Sequence, residues 1–286
     1  MAVKKDKIEA LQEKLDRKLT AAEMYANRPR KWLLYLSVTL ILVLLVGWSG
    51  ADVHFTGLTA TGTEVAKGVV SGIFSPDLKL LFGTGDTDVP YLLLQTMSIA
   101  ILGTIFGAIL AIPFAFFSAT NIVPWPIAYL FRIVILLIRT IPSLVWALIW
   151  IRVTGPGAPC GVITESVCSI GMIAKMYITA IEDLDTRILE SLDAMGCTAF
   201  QKIRYGVIPQ LTASFISTAI YRFDINLKDA TVLGIVGAGG IGASLVQCLN
   251  SRRWAMVGSF VWGLMILVLI IEAISTRVRR KLAQGK

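Results

Sequence analysis

From Val89 through Phe131 the chain carries no charged residue, a stretch too long for one membrane crossing and too apolar for the surface of a soluble domain. A helix rises about 1.5 Å per residue, so roughly 20 residues cover the ~30 Å hydrocarbon core of a bilayer. The stretch must hold two crossings, and the break falls at Asn121-Ile122-Val123-Pro124-Trp125-Pro126, where two prolines withhold backbone donors. Further segments of the same kind surround it. Trp32 to Ala51 is also uncharged and forms the first expected span. The second runs from about Pro90 to Ser118, with Gly103, Gly107, Ala108 and Ala111 available for close helix approach, and the third from about Ile127 to Val153. A turn at Gly155-Pro156-Gly157-Ala158-Pro159 precedes a fourth span from about Gly161 to Ile181, in which Glu165 and Lys175 are atypical for lipid-facing positions. A fifth begins near Pro209, and a sixth covers about Trp254 to Ser275. The expected fold class is an all-α integral membrane protein with six transmembrane helices.

Composition agrees: of 286 residues 55% are hydrophobic and only 16% charged. The net charge of +8 does not point to nucleic acid, because the cations crowd at the two ends, from Lys4 to Lys31 and from Arg277 to Lys286. Basic ends flanking apolar spans are the positive-inside pattern, and six spans put both termini on the same, cytoplasmic side. The chain then divides into a basic arm (1–31), the first span (32–51), an extracytoplasmic loop (52–88), a core of five spans (89–276) with a cytoplasmic segment at 182–209, and a basic tail (277–286). The arm places Ile8, Leu11, Leu15 and Leu19 at helical spacing, which suits an interfacial or cytosolic helix rather than a cleavable signal peptide. In the outer loop, Thr63 to Phe74 reads as a short amphipathic helix stopped by Pro76. The cysteines, at 160, 168, 197 and 248, have no metal-ligand spacing and are expected as free thiols, with a disulfide among Cys160, Cys168 and Cys248 as the alternative.

Three polar features interrupt this apolar background. The first is Glu190-Ser191-Leu192-Asp193-Ala194-Met195-Gly196, followed by Ile208-Pro209, between the fourth and fifth spans. A short helix there can act as a lever: Glu190 near its start suits the helix dipole, Gly196 permits a turn or close approach, and Pro209 opens the next helix. A polar loop can also hold these residues by chance. The second is Gly237-Ala238-Gly239-Gly240-Ile241-Gly242, which matches G-x-G-x-x-G. A dinucleotide site is rejected, because no acidic residue follows about twenty positions on and no strand-helix alternation surrounds it. The glycines fit either a bent gate at membrane depth or close helix packing. The chain also lacks G-x-x-x-x-G-K-[ST], so it is expected to bind no cofactor, and ATP must be handled elsewhere.

The third feature is Tyr221-Arg222-Phe223-Asp224-Ile225-Asn226-Leu227-Lys228-Asp229, four charges inside the fifth span. Each costs about 2.5 kcal/mol or more if it faces lipid, so they must face protein or water. Helical spacing puts Asp224 with Lys228 on one face, where they can neutralise each other, and Arg222 with Asp229 on another. Arg222 has no comparably near local partner. In the third span Arg132 is expected to snorkel to the inner interface. Arg139, just before Thr140-Ile141-Pro142, either pairs with Asp224 or Asp229 or presents a guanidinium to a passing anion. An enzyme built on Arg139, Asp224 and Asp229 is the different-class alternative; a single histidine, His54, and the absence of a nucleophile-base constellation argue against it.

Together the stretches 138–148, 171–175, 205–210 and 221–242 resemble the permease subunit of phosphonate ABC importers, over roughly residues 90 to 275. The glycine motif and the 190–209 segment, which resembles the EAA loop, are shared with methionine-type importers. Arg139-Thr140-Ile141-Pro142 and Tyr221-Arg222-Phe223 are closer to the phosphonate and phosphite group. The resemblance implies a type I importer fold, a homodimer in the bacterial inner membrane, two ATPase subunits carrying ATP and magnesium, and an extracytoplasmic binding protein that delivers a phosphonate-like anion. It further implies ATPase coupling through Glu190, Ser191, Leu192, Ala194, Gly196 and Pro209, although Ser191 and Leu192 stand where the motif expects two alanines. The expected pathway or gate is formed by Arg139, Pro142, Arg222, Asp224, Lys228, Asp229, Gly237, Gly239, Gly240 and Gly242, with methionine or another small solute as the rival cargo.

Overall fold

The computed structural model describes residues 31–52 and 60–284, whose regular elements are all helices, with no strand among them. The expected N-terminal arm and the start of the outer loop lie outside the described residues. The chain forms two units, 1–62 and 63–286. Within the first, α1 (Trp32–Asp52) is apolar around its whole circumference, as a helix immersed in lipid must be.

The second unit begins within α2 (Ala60–Phe74), the expected amphipathic helix with an earlier start, and continues through a single turn, α3 (Leu78–Leu81), whose first amides bond to the Asp77 side chain. Its body consists of α4 (Val89–Ser118), α5 (Trp125–Thr140), α6 (Ser143–Thr154), α7 (Ala158–Glu182), α8 (Thr186–Ala194), α9 (Ala199–Lys202), α10 (Ile208–Ile235), α11 (Ile241–Asn250) and α12 (Trp254–Ala283). A π-helical turn, Ile203–Val207, joins α9 to α10.

Among the described residues, four helices are long and apolar enough to cross a membrane: α1, α4, α7 and α12. A fifth crossing results if α5 and α6 count as one. The expected third span, from about Ile127 to Val153, is broken into these two helices, which meet at 87°. The cause is Pro142, which pushes Ile141 into extended backbone (φ −85°, ψ 122°) and cannot donate to the preceding turn. Trp146 Nε1 bridges the corner to the Ile138 carbonyl at 3.3 Å. At 28 residues α10 has the length to cross, but its four charges set it apart from the apolar helices.

The central packing is α4 on α7. Small residues make the approach possible: a Cβ at Gly103 would collide with Glu165, and one at Gly107 with Ser169. Below them Ala111, Ala115, Ile173, Ala174, Tyr177 and Ile181 form a buried cluster, which Val207 and Leu211 close. A second cluster joins Val89 and Leu92 to Ile241, Val257 and Phe260. All four cysteines are free thiols.

Candidate functional site

Three polar assemblies stand out from the apolar body. The first is the connection from α7 to α10. Asp185 caps α8 by accepting from the Arg187 amide at 3.0 Å, and the helix has no acidic residue in its first turn. Glu190 therefore lies past the start, and its expected dipole role belongs to Asp185. Gly196 ends α8 with φ +75°; its amide donates to the Asp193 carbonyl at 2.9 Å and the Cys197 amide to that of Leu192 at 3.0 Å, a Schellman closure. Thr198 and Gln201 then form a reciprocal capping box that starts α9, and an ion pair between Lys202 and Asp193 ties the two short helices together. Pro209 stands in the first turn of α10 as expected, although the helical path is continuous from Ala199 through the π turn into it.

Glu190, Ser191, Ala194, Gly196 and Pro209 are exposed and Leu192 is half-buried, so the structure brings the expected coupling residues to one projecting segment. Sequence reasoning missed its apolar tips: Met195, Phe200 and Tyr205 are 69%, 69% and 67% exposed. Their place in a polar, capped segment was the available signal, and such exposed apolar groups mark an interaction surface.

The second assembly is buried between α4, α7 and α10. Arg222 Nη2 lies 3.6 Å from Glu165 Oε2 and 3.7 Å from Asp229 Oδ2, and its Nε donates to Ser169 Oγ at 3.1 Å. Asn226 donates from Nδ2 to Thr104 Oγ1 and Ser169 Oγ, both at 2.8 Å. The face expected to be shared by Arg222 and Asp229 brings the two within reach of each other, and Glu165, on another helix, adds a second carboxylate that local spacing does not reveal. Glu165 is wholly buried and neither carboxyl oxygen accepts a hydrogen bond, so Arg222 is its electrostatic support.

The expected Asp224–Lys228 pair does not form. Asp224 Oδ2 accepts from Ser275 Oγ at 2.7 Å and lies 3.4 Å from Arg279 Nη2, while Lys228 Nζ lies 3.7 Å from Glu272 Oε2. All three partners, Ser275, Arg279 and Glu272, belong to α12, close in space and far in sequence, which local spacing does not reveal. Arg132, expected to snorkel, is partly exposed and paired at the end of α7: Nη2 contacts Glu182 Oε1 at 2.5 Å and Nε donates to the Ser118 carbonyl at 2.9 Å. Arg139 pairs with neither Asp224 nor Asp229; among the described residues no carboxylate lies within 4.0 Å of it. It lines a cavity of about 290 Å³ with Pro142, Ser143, Cys168, Arg222 and Asp229.

The third assembly is the glycine turn. Gly237, Gly239 and Gly240 have φ of +91°, +86° and +77°, conformations that L side chains resist. The turn docks on the start of α7, where the Gly157 amide donates to the Gly237 carbonyl at 2.9 Å and a Cβ on Gly239 would come within 2.7 Å of the Ala158 nitrogen. From α4, Gln95 Oε1 accepts from the Gly240 amide (3.2 Å) and Thr96 Oγ1 from the Ile241 amide (2.9 Å), satisfying the first donors of α11. Gly242 packs on Gly234 and the Thr231 carbonyl. Close packing and bent backbone coincide here, and helices flank the turn on both sides. No group of three metal-ligating side chains is found among the described residues.

Comparison with known proteins bears on these assemblies. Residues 103–285 match the family described as binding-protein-dependent transport system inner membrane component. The phosphite transport system permease protein PtxC of Stutzerimonas stutzeri is 32% identical over 66% of this chain and 69% of its own length. The putative phosphite transport system permease protein HtxC of the same organism is 32% identical, covering 85% of this chain and 84% of that protein. The phosphate-import permease protein PhnE of Mycolicibacterium smegmatis is 35% identical over 66% of this chain, which spans 36% of that longer protein. In fold, the chain resembles the inward-facing MetNI methionine ABC transporter, with a TM-score of 0.58, 19% identity and coverage of 79% of this chain and 99% of that one.

Proposed function

We propose, because this chain belongs to the family of binding-protein-dependent transport system inner membrane components, that it is the permease of an ATP-driven importer of phosphorus oxyanions. It is a multi-pass membrane protein and a transport subunit rather than an enzyme, and its family works with an ATPase and a binding protein. The observation that carries the cargo is the agreement of relatives at 32% and 35% identity, named for phosphite and phosphate transport. The likeness to a methionine transporter is one of fold and supports no cargo.

In this reading two copies of the chain face each other, each with one ATPase on its α8–α9 segment, and ATP and magnesium stay in those subunits. Glu190, Ser191, Leu192, Ala194, Gly196 and Pro209, with Met195, Phe200 and Tyr205, form the docking surface; both termini lie on that side. Arg139, Pro142 and Arg222 line the path, Asp229 balances Arg222, and Asp224 and Lys228 hold α10 to α12. The interlocked turn at Gly237, Gly239, Gly240 and Gly242 closes the opposite end. Purification from native membranes tests the coupling: an ATPase recovered in equal amount, hydrolysing ATP faster when a phosphite- or phosphonate-loaded binding protein is added, is expected. Recovery of the chain alone, in a lipid environment that keeps it folded, contradicts it.

A further inference from the structure

Two cavities in the α5–α7 region share one side chain. Arg139 lines the cavity beside Arg222 and Asp229, and also a second one of about 380 Å³ that contains Arg132, Lys175, Thr179 and Glu182. Gly171 lets it do so, for a Cβ there would come within 2.5 Å of Arg139 Cγ. From Lys175 to Glu182 the second cavity follows α7 toward the end from which α8 departs.

The charges in the two cavities are not equivalent. Arg132 is neutralised by Glu182, and Arg222 is flanked by Glu165 and Asp229. Among the described residues neither Arg139 nor Lys175 has a carboxylate within 4.0 Å. Both sit within segments of membrane-spanning character, where a cation facing lipid costs about 2.5–3.5 kcal/mol. Both side chains are exposed, and a cation there with no carboxylate in contact suits a water-filled path that an anion occupies in passing. One deep station would trap the anion, whereas two stations of moderate strength let it move on.

We propose that Arg139 and Lys175 are successive stations for a tetrahedral oxyanion, Arg139 holding it by its guanidinium fork beside Ser143 and Lys175 receiving it beside Thr179 on the way to the α8 end. This rests on the reading of the chain as a permease for phosphorus oxyanions. It adds Lys175 to the path and makes Arg132 and Arg222 neutralised supports.

The test uses the complete complex with its ATPase and binding protein in proteoliposomes, and reads uptake of phosphite, methylphosphonate and methionine per ATP hydrolysed. Lys175→Gln and Arg139→Gln each lower phosphite uptake by about tenfold, the loss of one charge-assisted contact, while ATPase copurification persists. Lys175→Arg keeps uptake, as does Lys79→Gln, an equal loss of charge outside both cavities. In a chain whose four native cysteines are replaced by serine and which still takes up phosphite, Lys175→Cys loses uptake and regains it when alkylated with a positively charged aminoethyl reagent, though not with a neutral methyl reagent, so a folding defect cannot imitate the result. Phosphite uptake that survives both glutamine variants overturns the stations and leaves the permease reading standing. A wild-type complex that moves methionine and no phosphorus oxyanion overturns both.

Discussion

Arg222 supports two carboxylates with one guanidinium, and one of these, on Glu165, is wholly buried with no hydrogen bond to either oxygen. Removing the arginine strands a buried charge, a change that typically costs about 3–5 kcal/mol. Arg222→Ala is expected to lower the unfolding midpoint of the detergent-solubilised complex, and Glu165→Gln in the same chain to recover part of the loss. Equal midpoints for Arg222→Ala and wild type would show that Glu165 does not depend on Arg222. At Gly196 the constraint differs: φ is +75° and a Cβ there meets nothing within 4 Å. Gly196→Ala should cost only about 1 kcal/mol of backbone strain. Gly196→Trp adds a bulky ring to the open side, so ATPase copurification should fall while membrane insertion is kept. Normal pull-down of the ATPase by the tryptophan variant would remove this surface from the coupling contact. The role of Gly196 as a turn was legible because positive φ favours glycine. The partners of Asp224 were not, because Ser275 and Arg279 lie on another helix and no local spacing encodes them.

At the scale of elements, helix limits followed from apolar runs and their breakers. The expected second span, Pro90 to Ser118, is α4 within one residue, since charge ends on one side and Asn121 to Pro126 break the other. The corner between α5 and α6 was visible as a proline and invisible as an angle, because Pro142 guarantees a lost hydrogen bond while the 87° turn depends on what α6 packs against. Ala147, buried with Cys160, Leu233 and Ala238, is part of that packing. The pairing of α4 with α7 is the element-level contact most open to attack. Gly107→Val forces a branched side chain against Ser169 Cβ and the Ser166 carbonyl, an overpacking expected to cost about 1–3 kcal/mol. Protease susceptibility of the membrane-inserted chain should rise; an unchanged digestion pattern and midpoint would mean that the helices separate freely there.

Across the whole molecule, the placement of charge orders the parts. In the second unit Arg222 is buried and paired and Arg132 is partly exposed and paired, while Arg139 and Lys175 are exposed and have no carboxylate within 4.0 Å among the described residues. At one end the capped segment from α8 to α10 exposes Met195, Phe200 and Tyr205; elsewhere the glycine turn locks α11 against α4 and α7. These features fit a path powered from one side and closed at the other. The most direct measurement is ATP-driven uptake by the complex, reconstituted with its ATPase and binding protein, of radiolabelled phosphite, methylphosphonate, phosphate and methionine offered separately. The account predicts accumulation of one or more of the phosphorus oxyanions, dependent on ATP and on the binding protein, and no accumulation of methionine. Uptake of methionine alone would contradict it.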